Sequence, residues 1–301
     1  MLISAAVSVL TMLSRQPMPR HSRLYASATE ASWPLITSAA NPKLKMVKKL
    51  HARKQREKSG LVLLEGHRLV LDALGAGLVP EYVVLHDAAL HESAEGEALH
   101  AALSEASSQV LRAPADLVNA VSDTTTPQGV LAVLPTPSLP LPPSPSLVLV
   151  CDGVRDPGNL GTLLRSAAGA GVCAALLTPG CSDPFGLKAL RSGMGAQFRL
   201  PISSLPWEET STQLSEWGAA AHAADASGAT SHFEVDWRKP SALVVGSEAH
   251  GLSEAVRADP SVRLCRIPMG AAGDGNLESL NAAVAGSVML FEAQRQRLQP
   301  G

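Results

Sequence analysis

LVLVCDGVRDPGNLGTLLRSAAGAGVCAALLT, residues 147–178, decides the fold class. Residues 147–152 form an unbroken apolar run that ends in an acid, the pattern of a buried strand. Residues 159–171 carry apolar side chains at helical spacing, and CAALLT (173–178) is a second buried strand. Asp156, Pro157 and Gly158 force a turn between strand and helix, and Asn159 is a natural helix cap. A strand, a crossover helix and a second strand, both strands apolar throughout, imply a parallel sheet covered on both faces. The strand pattern recurs in AAAHAAD (219–225), ALVVGS (242–247) and RLCRIPM (263–269), with helical patterns between. ESLNAAVAGSVMLFEAQRQ (278–296) reads as a long terminal helix, so one α/β domain is expected over 147–298.

Upstream, PTPSLPLPPSPS (135–146) has six prolines in twelve residues. It fits neither a helix nor a central strand and reads as an extended linker. Before it, residues 33–134 hold a smaller α/β pattern. LVLLEG (61–66), EYVVLHD (81–87), the segment after SEASSQVLRA and GVLAVL (129–134) are strands, and HRLVLDALGAG is a helix closed by Gly75 and Gly77. Residues 1–29 contain no Asp or Glu but have five serines and Arg15, Arg20 and Arg23, all after the apolar stretch MLISAAVSVLTML. A secretory signal would place its positive charge first, so residues 1–32 read as an organellar transit peptide, for chloroplast or mitochondrion.

The 301 residues are enough for two domains, and 46% apolar against 17% charged residues indicates a globular chain. Aromatics at 3% argue against a base-stacking surface built on many rings. No run approaches the roughly eighteen apolar residues of a membrane span. Cys151, Cys173, Cys181 and Cys265 form no CxxC pair and have no histidine at zinc-ligand spacing, so reduced thiols are expected, with neither metal nor membrane as partner. The net charge of −2 conceals a polarity. Lys43, Lys45, Lys48, Lys49, Arg53, Lys54, Arg56 and Lys58 crowd into sixteen positions with Glu57 as the sole acid, and the remaining chain is formally −9. A solvated helix face would account for such a run by itself, whereas a phosphate-bearing partner would make use of it.

Three segments place polar residues where buried strands end, the position at which open parallel sheets bind ligands. They are DGVRDPGNLGTLLRSA (152–167), VVGSEAHGL (244–252) and IPMGAAGDGNLESLNAAVAG (267–286). Neither a GxGxxG fingerprint nor a GxxxxGK[ST] loop follows any strand, which sets aside a nucleotide-dependent oxidoreductase. Ser279 has no His–Asp partners in sequence to make it a nucleophile, and His250 suits a structural turn better than a general base.

In this order the segments resemble the SpoU/TrmH branch of the SPOUT methyltransferases. The resemblance rests on Asn159 followed by a helix bearing Arg165; on Gly246, Glu248 and Gly251 after a strand; and on Ile267-Pro268-Met269 followed by Ser279-Leu280-Asn281. RSGMGAQFRLPI (191–202) and LLEGHRLVLDAL in the first domain extend it over about residues 35–298. It implies a carboxyl-terminal α/β domain with a trefoil knot, a smaller amino-terminal α/β domain that binds RNA, and a homodimer formed through the knotted domain and its long helix. The implied activity is S-adenosylmethionine-dependent methylation of RNA ribose 2′-hydroxyls, with rRNA favoured over tRNA. Arg165, Asn159, Glu248, Ser279 and Asn281 would carry the chemistry. Gly246, Ser247, Gly251, Ile267, Met269 and Leu280 would hold the cofactor, and the basic window would track the RNA backbone. A same-fold RNA-binding assembly factor without turnover is the alternative. The chain departs from the pattern in the eight residues GAAGDGNL (270–277), about twice the usual length of that loop.

Overall fold

The computed structural model describes residues 33–270 and 279–299. The expectation of a transit peptide in 1–32, and most of the lengthened loop, lie outside the described residues.

The amino-terminal unit opens with helices α1 (Pro42–Leu50) and α2 (Arg53–Ser59). Asn41 caps α1 through its side-chain oxygen, with Pro42 in the first turn. There follow β1 (Leu61–Glu65), α3 (His67–Gly75), β2 (Tyr82–Leu85), α4 (Ala94–Glu105), β3 (Gln109–Arg112), α5 (Ala115–Asn119) and β4 (Val130–Pro135). The sheet order is β1-β4-β2-β3, with only β2 and β3 parallel. Strand alternation sends Val62 and Leu64 to one core with α3 and α4, and Leu63 to another with Leu44, Val47 and Leu50 of α1. Both faces are thus covered.

The second unit comprises β5 (Leu147–Asp152), α6 (Pro157–Gly169), β6 (Ala174–Leu177), α7 (Leu187–Gly193), β7 (Ile202–Ser204) and α8 (Trp207–Glu216). It continues through β8 (Ala220–Ala224), β9 (Thr230–Ser231), β10 (Ser241–Gly246), α9 (Glu254–Ala258), β11 (Arg263–Arg266) and α10 (Ala282–Leu298). Its seven strands are all parallel, in the order β7-β6-β5-β10-β8-β11-β9. Leu147, Leu149 and Cys151 face a core shared with α6 and α10, while Val148 and Val150 face α8 and α9. The expected parallel sheet with two covered faces is what forms. From β5 the order runs outward through β6 and β7, and β10 lies between β5 and β8 on the other side. The order therefore reverses at the β5–β10 pair, and the crevice beside such a reversal is where open parallel sheets bind ligands.

Local boundaries differ from expectation in instructive ways. Asp156, not Asn159, caps α6: its carboxylate accepts from the Asn159 N–H at 2.9 Å, and Pro157 occupies the first helical position. Proline there sacrifices no hydrogen bond, so the helix starts earlier. The terminal helix begins at Ala282 rather than Glu278, because Asn281 accepts from the N–H groups of Ala283 and Val284 and so closes its amino end. The short edge strands β7 and β9 carry too little pattern to be read from sequence.

The basic window divides. Lys45, Lys48 and Lys49 on α1, and Arg53, Lys54 and Lys58 on α2, are exposed, while the Lys43 ammonium sits 4.1 Å from the centre of the Tyr82 ring. Arg56 corrects the expectation of eight RNA-facing cations. It is 7% exposed and donates to Asp183 from Nε (3.0 Å) and Nη2 (2.5 Å), and to the Leu50 and His51 carbonyls from Nη1. Its charge is spent on joining the two units, since Asp183 belongs to the second. Apolar packing joins them too: Leu187 of α7 enters one amino-terminal core, and Leu190 with Phe198 enters the other. Replacing Arg56 by Met should therefore cost about 3 kcal/mol, since it strands the half-buried Asp183 carboxylate and leaves the Leu50 and His51 carbonyls without their donor. Replacing Lys54 by Met should change stability by less than about 0.5 kcal/mol. Urea denaturation midpoints of the two variants check the contrast.

Candidate active site

The site is built at the carboxyl ends of β5, β8, β10 and β11. Asp152, the last residue of β5, is 4% exposed. Its Oδ1 accepts from the Thr178 hydroxyl (2.9 Å) and its Oδ2 from the Ser253 N–H (2.6 Å). The Thr178 hydroxyl oxygen accepts in turn from the Gly153 N–H at 3.0 Å. One buried carboxylate thus ties the end of β5 to the residue after β6 and to the exit of the loop that follows β10.

That loop, residues 246–252, is closed by its own backbone. Ser247 N–H donates to Gly251 O and Gly251 N–H to Ser247 O, both at 2.9 Å. Gly251 takes φ +65°, a conformation glycine adopts without cost. A Cβ on Gly246 would lie 2.4 Å from the Gly251 carbonyl carbon, so the closed loop excludes any side chain there. The closure presents Glu248 at the crevice. His250 is exposed, and its backbone N–H donates to Ser247 Oγ at 3.1 Å, which makes it part of the turn.

Three segments far apart in sequence meet at Asn159. Asn281 Oδ1 is committed to capping α10, so its Nδ2 is left to donate, and it does so to Asn159 Oδ1 at 3.1 Å. That leaves Asn159 Nδ2 to donate to Glu248 Oε1 at 2.7 Å. Each amide's orientation is dictated by the previous one, and the chain ends on a carboxylate. Because Asp156 caps α6, the Asn159 side chain is free for this role.

Beside this chain lies a cavity of about 220 Å³. Gly246, Ser247, Gly251, Ile267, Met269 and Leu280 all line it, as do Glu248 and Ser279. Asn159, Asn281 and Arg165 do not. Asn159 and Asn281 reach its edge through Glu248, whereas Arg165 lies six residues along α6, exposed and away from the cavity wall. Sequence reading missed Asp225 on the same wall. Burial pushes its carboxyl up, but hydrogen bonds from the Ser227 hydroxyl and N–H, and the Arg257 guanidinium at 2.6 Å, outweigh this and hold it below the ordinary carboxylate range. The signal was available, for Asp225 ends the strand pattern AAAHAAD as the other site residues end theirs. A wider depression of about 750 Å³ lies at the opposite strand ends, by Ala220 and Arg263. Its Asp259 carboxylate is already engaged by Trp207, Ser211 and Ser261, leaving no convergent polar set.

Among the described residues no group of three His, Cys, Asp or Glu could hold a metal, and no helix is long and apolar enough to cross a membrane. All four cysteines are free; burial raises the Cys181 thiol to about 11 and Cys265 to about 12.

Residues 146–291 match the model of the SpoU rRNA Methylase family, and residues 41–132 that of the MRM3-like substrate binding domain. The chain belongs to the SpoU methylase family. It is 33% identical to the 23S rRNA (guanosine(2553)-2′-O)-methyltransferase RlmP of Bacillus subtilis, over 85% of this chain and 97% of that one. It is 32% identical to the human mitochondrial rRNA methyltransferase 3, over 81% and 70% respectively. An AdoMet-bound rRNA methyltransferase from Sinorhizobium meliloti superposes with a TM-score of 0.75 at 30% identity, covering 88% of this chain and 98% of that one.

The cavity suits the cofactor of this family, S-adenosylmethionine. Val245, Ile267, Leu280 and Met289 offer apolar walls for an adenine ring, and backbone at Gly246 and Gly251 with the Ser247 and Ser279 hydroxyls offers polar partners. Gly246→Ala should lower S-adenosylmethionine affinity by about tenfold or more, equivalent to about 1.4 kcal/mol, because the added Cβ forces the closed loop apart. Isothermal titration checks it, and wild-type affinity would mean that the loop does not form the binding wall.

Proposed function

We propose that this SpoU methylase is an S-adenosylmethionine-dependent RNA ribose 2′-O-methyltransferase acting on organellar rRNA. The observation that carries the reading is the Asn281–Asn159–Glu248 chain at the rim of the cofactor-sized cavity, because it gathers polar side chains from three distant segments at one place. Relatives named as rRNA methyltransferases support the substrate class.

The reaction is displacement at a methyl carbon by a weakly acidic hydroxyl. The bound cofactor supplies a methyl group that is already activated, so the protein's task is alignment and help with the proton. Glu248 holds Asn159 by a charge-assisted bond, leaving a rigid polar rim against which a ribose can be oriented. Ser279, exposed beside the cavity, offers a hydroxyl to ribose or phosphate. Arg165 presents a planar fork of N–H donors with no acceptor, and therefore serves as a grip on the neighbouring phosphate rather than as the base. It is exposed, so it is available to the RNA.

The exposed lysines of α1 and α2 track the RNA backbone, supplying affinity without sequence choice. The carboxyl-terminal segment threads to form the family's trefoil knot, and two copies pair through α10. On that helix Val284, Val288, Phe291 and Leu298 are 40–75% exposed at positions that share one face, an apolar stripe of the kind a second copy covers. The acid-free, arginine-bearing 1–29 segment and the mitochondrial relatives support an organellar location.

Two experiments test the reading. Arg165→Ala should abolish methyl transfer while leaving S-adenosylmethionine affinity within about twofold; loss of both together would contradict the assignment. Reversing Lys45, Lys48 and Lys49 to Glu should weaken RNA binding and reduce the slope of log affinity against log salt by about 2, at about 0.7 per phosphate contact to a single strand. An unchanged slope would return these lysines to a merely solvated face.

A further inference from the structure

A second cavity, of about 280 Å³, lies where the two units meet. Glu65, Arg68, Asp72 and Gln128 line it from the amino-terminal side, and Arg191, on α7, lines it from the other. We propose that this cleft is an RNA phosphate subsite, in which Arg68 and Arg191, one from each unit, clamp a backbone phosphate near the target ribose. The proposal rests on the RNA-methyltransferase reading and adds to it the route by which RNA passes from one unit to the other.

Both guanidiniums are poorly used as they stand. Arg191 Nη1 is buried and has no hydrogen-bond partner among the described residues, and Nη2 reaches Asp123 at 3.3 Å. A buried donor left unmatched is costly, so a rotation that brings it to a phosphate gives up little. Arg68 is 60% exposed and holds Asp72 at 3.3 Å, an exposed contact of the kind that contributes little. The Glu65 carboxylate does not oppose an anion freely, since it is 6% exposed and accepts from the Asp123 N–H and the Thr124 hydroxyl. Gln128 gives its Oε1 to the His67 N–H, which leaves its amide N–H groups for a ligand. Thr126 adds an exposed hydroxyl.

The backbone marks the same spot. Met194, directly after α7, is the single non-glycine residue with positive φ among the described residues (48°), and it lines the cleft. Strain of this kind persists where the surroundings enforce it, and it concentrates at functional sites. Position argues alike. The same helix α7 also packs on the start of α6, where Ser192 Oγ lies 3.4 Å from the Pro157 carbonyl oxygen and Lys188 pairs with Asp156 at 2.8 Å. One helix thus touches both the cleft and the turn that leads to Asn159. RNA lying on the amino-terminal unit with its target ribose at Asn159 must cross this junction. Planar forked donors from two walls match a phosphate bidentately, as lysines would not.

The test uses the full chain, an rRNA transcript and the variants Arg191→Gln, Arg191→Lys and Arg68→Gln. Arg191→Gln should raise the RNA KM about tenfold and lower the salt slope of RNA binding by about 0.7, with unchanged S-adenosylmethionine affinity. Arg191→Lys should restore the slope but only part of the affinity. Arg68→Gln, on an exposed position that cannot endanger folding, should lower the slope similarly. Wild-type slopes in both glutamine variants, or a fall in thermal stability and kcat with the slope unchanged, would overturn the subsite while leaving the methyltransferase reading intact. Failure of the wild-type protein to bind or methylate any RNA would overturn both.

Discussion

The site depends on the hydrogen-bonded chain that begins where Asn281 caps the terminal helix. Because both acceptor bonds of that cap are to backbone N–H groups, the amide has one orientation, and it imposes one on Asn159 and then on the contact with Glu248. A helix cap, a helix start and a strand-exit loop are thereby held in register. The buried Asp152 carboxylate braces the same loop from behind by fixing the Ser253 N–H. A polar network of this kind is worth having only when every member is satisfied, and here each member's partner is another part of the site.

The two units are joined more closely than a proline-rich connection suggests. Arg56 and Asp183 make a nearly buried pair across the junction, and α7 with the turn that follows it places Leu187, Leu190 and Phe198 into amino-terminal cores. The helix that does this also backs the start of α6. One helix therefore contacts both the amino-terminal cores and the turn that leads to Asn159.

Much of this was legible in the sequence because a single rule applied: a polar residue that ends a fully apolar strand sits at the rim of a parallel sheet. It picks out the three segments that meet at the site, and the resemblance to the SpoU/TrmH branch then singles out Asn159, Gly246, Glu248 and Ile267 within them. Asp225 obeys the same rule and was passed over because AAAHAAD carries no further motif. Arg56 was not legible. A run of cations on a helix does not reveal which one turns inward when its partner, Asp183, is 127 residues away. Strand order was equally hidden, since the placing of β10 between β5 and β8 is decided by long-range packing rather than by periodicity. The last helix starts four residues later than its sequence pattern suggests, because Glu278, Ser279 and Leu280 suit a helix while the capping geometry of Asn281 overrules them.

The most direct test of the account is to identify the methylated atom. The full chain would be incubated with methyl-labelled S-adenosylmethionine and rRNA transcribed without modifications, and the product digested to nucleosides. The account predicts label in one nucleoside methylated on its ribose 2′-oxygen, with the neighbouring phosphodiester resistant to alkali. Label on a base would contradict the proposed chemistry, and cofactor binding with no label in any rRNA would favour the same fold serving as an RNA-binding assembly factor.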